Sequence, residues 1–270
     1  MKKTRDFSPR MNLLQFRVLF RRYMKQILTN PWVIVPLVLE APLMLVITSF
    51  VYEDGTFVEP WRHVTSAHSV PFLLVLSSAL MGLLNSYREI CKERDVLGRE
   101  VFGGLDVSSY LGSKVVALAL IGFVQTLILT LGSLVFIDFN MARPAYSMFF
   151  YISAVFLTNY SVTALGLLVS ALLRKSESAI LPVLVIIIMQ VVFAGALIEF
   201  EYPVQLLYFF TPTMYGTSAV GNVMDLNAVY PMREIYDYNV FFTLAMLIVF
   251  AAVCHALTIV KLKRDYRTKD

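Results

Sequence analysis

The sequence predicts an all-α polytopic membrane protein, a single transmembrane domain of six membrane-spanning helices with both termini on the cytoplasmic side. Three observations predict it. Hydrophobic residues make up 58% of the chain and charged residues only 16%, with mean hydropathy +0.69, so the apolar surface exceeds what a soluble core could bury. Six apolar runs carry at most one charge each: Trp32 to Val51, Val70 to Tyr87, Val115 to Ile137, Ser147 to Leu173, Ala179 to Ile198 and Val240 to Val260. Each has at least about 18 residues, and about 20 suffice to cross the hydrocarbon core. Strict period-two alternation is absent, which excludes a barrel.

In chain order, residues 1–31 are basic and amphipathic. Lys2, Lys3, Arg5, Arg10, Arg17, Arg21, Arg22 and Lys25 are interleaved with Leu13, Leu14, Phe16, Leu19, Phe20, Met24 and Ile27. Arg17, Arg21 and Lys25 share one face, as in a helix lying among anionic headgroups. This is the expected elbow into the membrane; a nucleic-acid arm is the other reading, and the span that follows at once argues against it. The start is not followed by the short apolar core and cleavage site of a secretory leader, so a retained N-terminus is expected.

Residues 88–114 form a charged island that must lie outside the bilayer. Ile90, Leu97 and Val101 recur near one face of an amphipathic helix, with the spacings Lys92/Asp95 and Asp95/Arg99 available for pairing. Gly103-Gly104 should stop that helix, and Asp106 or Ser108 cap the next. A solvated loop and a docking surface for another protein are both open readings. Twenty of the 23 Lys and Arg residues fall on the side of the termini and the island; only Arg62, Arg143 and Arg233 fall opposite. That asymmetry puts both termini and the island in the cytoplasm.

Residues 199–239 carry Tyr202, Tyr208, Phe209, Phe210, Tyr215, Tyr230, Tyr236 and Tyr238 with Pro203, Pro212 and Pro231. Such aromatics favour the interface and the prolines break helices, so short re-entrant or interfacial helices forming an outer lid are expected; an ordinary outer loop is the alternative. Within the spans, Glu40 is the one acidic residue, either part of a translocation path or a structural hydrogen-bond partner. Asn85, Gln125, Asn159, Gln190 and His255 read as polar contacts between helices, and Ser78/Gly82 and Gly166/Ser170 as close-packing pairs. Cys91 and Cys254 lie at different depths, so no disulfide is expected, and there is no metal-ligand spacing. No phosphate-cradling loop, zinc motif or nucleophile triad is present, which leaves no self-contained active site. Neither internal repeats nor several intramembrane ionisable groups mark a gradient-driven carrier, so energy for uphill movement is expected from another subunit.

The chain resembles the membrane subunit of type 2 ATP-binding-cassette exporters, in particular the transmembrane half of the G (White) subfamily and its bacterial relatives. The resemblance rests on Lys92 to Arg94, Arg99-Glu100, Gly104-Leu105, Ser108 to Tyr110 and Ser113-Lys114 in the island. It rests also on Ala41-Pro42, Gly166 to Leu172, Phe193 to Gly195, and Pro212 with Tyr215. It implies a permease of a bacterial cytoplasmic membrane working as a homodimer or heterodimer. A separate cytoplasmic ATPase would bind ATP and Mg, and this chain would bind no cofactor. It further implies that Glu93, Arg94, Asp95, Arg99 and Glu100 contact the ATPase. The path would pass Asn85, Gln190 and Phe193, with Glu40 a further candidate, under a lid that includes Phe209, Phe210, Pro212 and Tyr215. A membrane scaffold or channel, and a membrane-embedded lipid-modifying enzyme, are the rival classes.

Overall fold

Helices form wherever the chain is apolar for long enough, because backbone groups without water can be satisfied only within a helix. The computed structural model describes residues 12–57, 62–139, 144–175, 177–196, 198, 200–226 and 234–266. Lys2, Lys3, Arg5, Arg10, Glu59, Arg143, Glu199, Tyr230, Pro231, Arg233, Arg267 and Lys269 lie outside these residues.

The chain begins with α1 (Leu13–Thr29), capped by Asn12, whose side chain accepts from the backbone N–H of Leu14 at 3.1 Å and of Gln15 at 3.3 Å. Leu19, Tyr23 and Ile27 are buried, while Arg17, Arg21 and Lys25 are exposed, as their spacing predicts. Asn30 then ends α1 and caps α2 (Pro31–Ser49), accepting from Trp32 N at 3.1 Å with Pro31 in the first helical turn. This one residue closes one helix and opens the next.

α3 (Val64–Ser86) is the central helix, buried over most of its circumference. A 3₁₀ turn (Cys91–Glu93) leads to the short α4 (Arg94–Phe102), which stops at Gly103 and at Gly104, whose φ is +107°. Asp106 accepts from Ser109 N at 2.8 Å and so caps α5 (Val107–Phe136); α6 (Pro144–Leu172) follows. The remaining helices are α7 (Ile180–Val192), α8 (Pro212–Val223) and α9 (Val240–Asp265).

Among the described residues, five helices, α2, α3, α5, α6 and α9, are long and apolar enough to cross a membrane. The fifth expected span, Ala179 to Ile198, is shorter than its apolar run. Its helix has 13 residues, about 20 Å, and ends at Val192, before Gly195 takes a φ of +74°. Several helices outrun their predicted spans, among them α9, which continues past Val260 to Asp265. The Asp106 cap starts α5 eight residues before Val115, and α3 starts at Val64 with Ser66, Ala67 and His68 already buried.

α3 and α6 pack closely because small residues let their backbones meet. A Cβ on Gly82 would strike the carbonyl of Asn159, and one on Gly166 would strike Ser86. Ser78 Oγ donates to Val155 O at 2.7 Å and Asn159 Nδ2 donates to Ser78 O at 2.9 Å, while Ser170 of α6 accepts from Ile90 N, beyond the end of α3. Between α3, α6 and α9 sits α8, buried from Pro212 to Gly221. Gly216 meets Val75 and Thr158, each near the middle of its helix, so α8 reaches the mid-depth of the bundle. Cys91 and Cys254 are both free and buried.

Candidate functional site

At the basic end of the bundle, α4 presents two faces with different roles. Leu97 and Val101, with Ile90, are buried against Leu19 of α1, Leu111 of α5, Leu167 of α6 and Leu262 of α9. Asp95, Val96, Arg99 and Phe102 face away, with Val96 43% and Phe102 77% exposed. A nine-residue helix is too short to persist alone in water, so these anchors hold it.

Polar anchors surround the apolar one. Arg94 donates to Leu173 O at 2.8 Å and Ala171 O at 3.2 Å, and forms an ion pair with Asp265. It thereby satisfies carbonyls left open at the end of α6 while tying α4 to α9. Tyr266 Oη donates to Arg94 O at 3.2 Å. Ser170 Oγ accepts from Ile90 N at 2.9 Å and Cys91 N at 3.0 Å. Glu100 pairs with Arg22 of α1 through two bonds of 2.6 and 3.2 Å, and this holds the Arg22 guanidinium's pKa above its ordinary value. Gln15 completes the strap, donating to Gly104 O at 3.2 Å and accepting from Asp106 N at 2.8 Å.

Beneath α4 lies a buried charge network. Lys114 is 2% exposed and lies 3.0 Å from Glu89 and 2.9 Å from Glu93, with its ammonium 3.8 Å from the centre of the Tyr23 ring. Tyr23 Oη donates to Glu89 at 2.5 Å, Tyr110 Oη donates to Glu93 at 2.9 Å, and Lys92 pairs with Glu89. Burial, and then the Glu89 charge, push the Tyr23 hydroxyl's pKa up. The buried Glu89 carboxylate is tolerable because its oxygens meet Lys92, Lys114 and the Tyr23 hydroxyl; Glu93, only partly buried, takes Lys114 and Tyr110.

The five island residues singled out in the sequence therefore occupy two settings. Asp95 and Arg99 lie on the outward face; Glu93, Arg94 and Glu100 bond within the chain. Lys92 takes Glu89 rather than Asp95, because Glu89 is held in place by Lys114. The sequence marks Tyr110 and Lys114 only within the motifs that carry the resemblance, and it assigns no contact to Glu89, Tyr23 or Asp265. The available signal was Lys114 itself, a charge heading an apolar run, but its partner stands 25 residues away in sequence.

The residues expected along a path divide likewise. Glu40 and Asn85 come together through Gln125, which donates to Glu40 Oε2 at 2.9 Å and to Leu37 O at 2.8 Å while accepting from Asn85 at 2.9 Å. Gln190 instead bonds to α8, accepting from Thr213 N at 3.1 Å and, through its backbone oxygen, from Thr213 Oγ1 at 2.8 Å. Phe193 packs on Phe200, with ring centroids 5.5 Å apart. Of the lid residues, Phe209 and Phe210 are exposed on a 3₁₀ helix (Val204–Phe210), whereas Pro212 and Tyr215 are buried in α8; Tyr215 Oη donates to Phe209 O at 3.2 Å. His255 meets Tyr160 at 3.1 Å, between α9 and α6.

The model of the ABC-2 type transporter family matches residues 14–224, from α1 through α8. The chain belongs to the ABC-2 type transporter family. Its matched span takes in α1, α4 and α8. An ABC transporter ATP-binding/permease protein of Mycobacterium tuberculosis is 29% identical over 168 residues, which is 59% of this chain and 19% of that protein. The ABC-2 chain thus aligns with about a fifth of its relative's length. As an ABC-2 membrane domain it is a multi-span permease of a cell membrane.

Proposed function

We propose that this chain is the permease subunit of an ATP-driven exporter, paired with a second permease subunit, its own copy or a homologue. A separate cytoplasmic ATPase would bind ATP and Mg and drive the pair. The observation that carries the reading is the divided surface of α4: an outward strip of Asp95, Val96, Arg99 and Phe102 on a helix whose back is tied to α1, α5, α6 and α9. A push on that strip would be passed to the bundle through Arg94–Asp265, Glu100–Arg22 and the Lys114 network. The positive-inside asymmetry puts α4 in the cytoplasm, where such an ATPase would be. The bacterial relative's name joins an ATP-binding part to a permease part, which supports the coupling.

The path would run along the axis between the two subunits, beside α3 and α7 near Asn85, Gln190 and Phe193. It would open outward past Phe209, Phe210 and the buried α8. The exchange Asp95→Arg with Arg99→Asp tests the coupling. It preserves net charge and leaves the Arg22–Glu100 pair untouched, so it changes only the outward pattern. The exchanged permease should stay monodisperse in detergent, lose the ATPase on co-purification and lose its effect on ATP turnover. Unchanged retention and turnover would refute coupling through α4.

A further inference from the structure

A cleft of about 760 Å³ opens on the flank of the bundle between α1, α2, α3 and α5. That size suits a small amphiphile. Its walls are mainly aliphatic and include Leu37, Leu43 and Ile121, and its outer rim on α2 is exposed, with Leu43 at 59% and Leu39 at 58%. A ligand could therefore enter sideways from the hydrocarbon layer. Glu40 and Asn85 line its depth; Gln26, Glu89 and Lys92 line the end nearer the charge network.

The charges in this cleft do not balance evenly. Glu89 is matched by Lys92 and Lys114. Among the described residues, Glu40 meets only the neutral amides of Gln125 and Asn85. Gln125 is fully committed, its amide nitrogen to Leu37 O and Glu40 and its oxygen to Asn85, so these groups fix the orientation of the carboxyl without offsetting its charge. An intramembrane carboxylate in an apolar cavity favours a cationic partner, and the lining holds no cation that is not already paired with Glu89.

We propose that this cleft binds a cationic amphiphile, its ammonium on Glu40 and its apolar tail between α2 and α5 toward the lateral opening. An anionic amphiphile is excluded by the same carboxylate. The site is complete within one chain, so it needs neither a second permease nor an ATPase.

Native mass spectrometry of the full chain, titrated with dodecylamine, dodecanol or dodecanoate, tests this directly. One saturable equivalent of dodecylamine is expected, with dodecanol much weaker and dodecanoate absent. Glu40→Gln should weaken dodecylamine by roughly 10- to 100-fold, the span of one charge-assisted contact, and leave dodecanol unchanged. Leu43→Trp, which narrows the lateral opening while keeping Glu40, should reduce both. Dodecanol binding as tightly as dodecylamine would overturn the charge recognition, and dodecylamine binding undiminished by both substitutions would overturn the location. Because ATPase retention is measured separately, loss of this site with retention intact would leave the exporter reading standing.

Discussion

Lys114 shows how much a single side chain can carry at the basic end. It is buried against Glu89, Glu93 and the Tyr23 ring, so removing it leaves the buried Glu89 with Lys92 as its one cation and Glu93 with no cation among the described residues. Lys114→Met should cost about 3–5 kcal/mol, the range for breaking a buried pair, seen as a lower unfolding midpoint in detergent. Adding Glu89→Gln should restore part of the loss, since one buried charge disappears; a further additive loss would mean that the two residues do not interact. Tyr23 gives a pH signature. Its ordinary pKa is 10.0 and folding raises it, so the folded state holds the proton more tightly than the unfolded one. The resulting stabilisation is fully present below pH 10 and is lost as pH climbs from there toward the folded value, by about 1.4 kcal/mol per pH unit. Tyr23→Phe should flatten that alkaline decline relative to the native chain, and parallel pH curves for the two proteins would contradict the assignment.

Among the elements, the α3–α6 interface and α4 make opposite predictions for the same substitution. Gly82→Ala drives a methyl into the Asn159 carbonyl, a backbone atom that cannot turn aside; overpacking of this kind costs about 1–3 kcal/mol. Gly98→Ala on α4 meets only Tyr266 Cε1 at 3.6 Å and should be neutral or stabilising by up to about 1 kcal/mol through helix propensity. Thermal unfolding of the two variants distinguishes these cases. Element boundaries were legible where a residue's own chemistry sets them. Gly103-Gly104 and the Asp106 cap act locally, and the shared face of Leu97 and Val101 follows from helical periodicity, whereas Ile90 lies before α4 and reaches the same core from a turn. The end of α7 was not legible, because Phe193 to Ile198 continue the apolar composition while Gly195 turns the backbone. The short α8 could be anticipated from its flanking prolines, but not its burial among α3, α6 and α9. Its glycines become informative only once Val75, Thr158 and Tyr236 stand beside them.

Across the whole molecule, the basic end behaves as one mechanical unit and the middle of the bundle as another. α1, α4, α5, α6 and α9 are joined there by Glu100–Arg22, Arg94–Asp265 and the Lys114 network. The sequence revealed the island as amphipathic and charged, but not which charges turn inward, since that depends on partners up to 171 residues away. For the same reason Glu40, Asn85 and Gln190 read alike in sequence but divide between the flanking cleft and α8 in the fold. The central claim is that the outward strip of α4 meets an ATPase, and photo-crosslinking tests it most directly. With p-benzoylphenylalanine in place of Phe102 on the strip, or of Phe136 at the other end of α5 as the control, illumination of membranes containing both subunits should join the ATPase to position 102 and not to 136. Equal yields at both positions, or none at 102 while the ATPase is demonstrably bound, would contradict it.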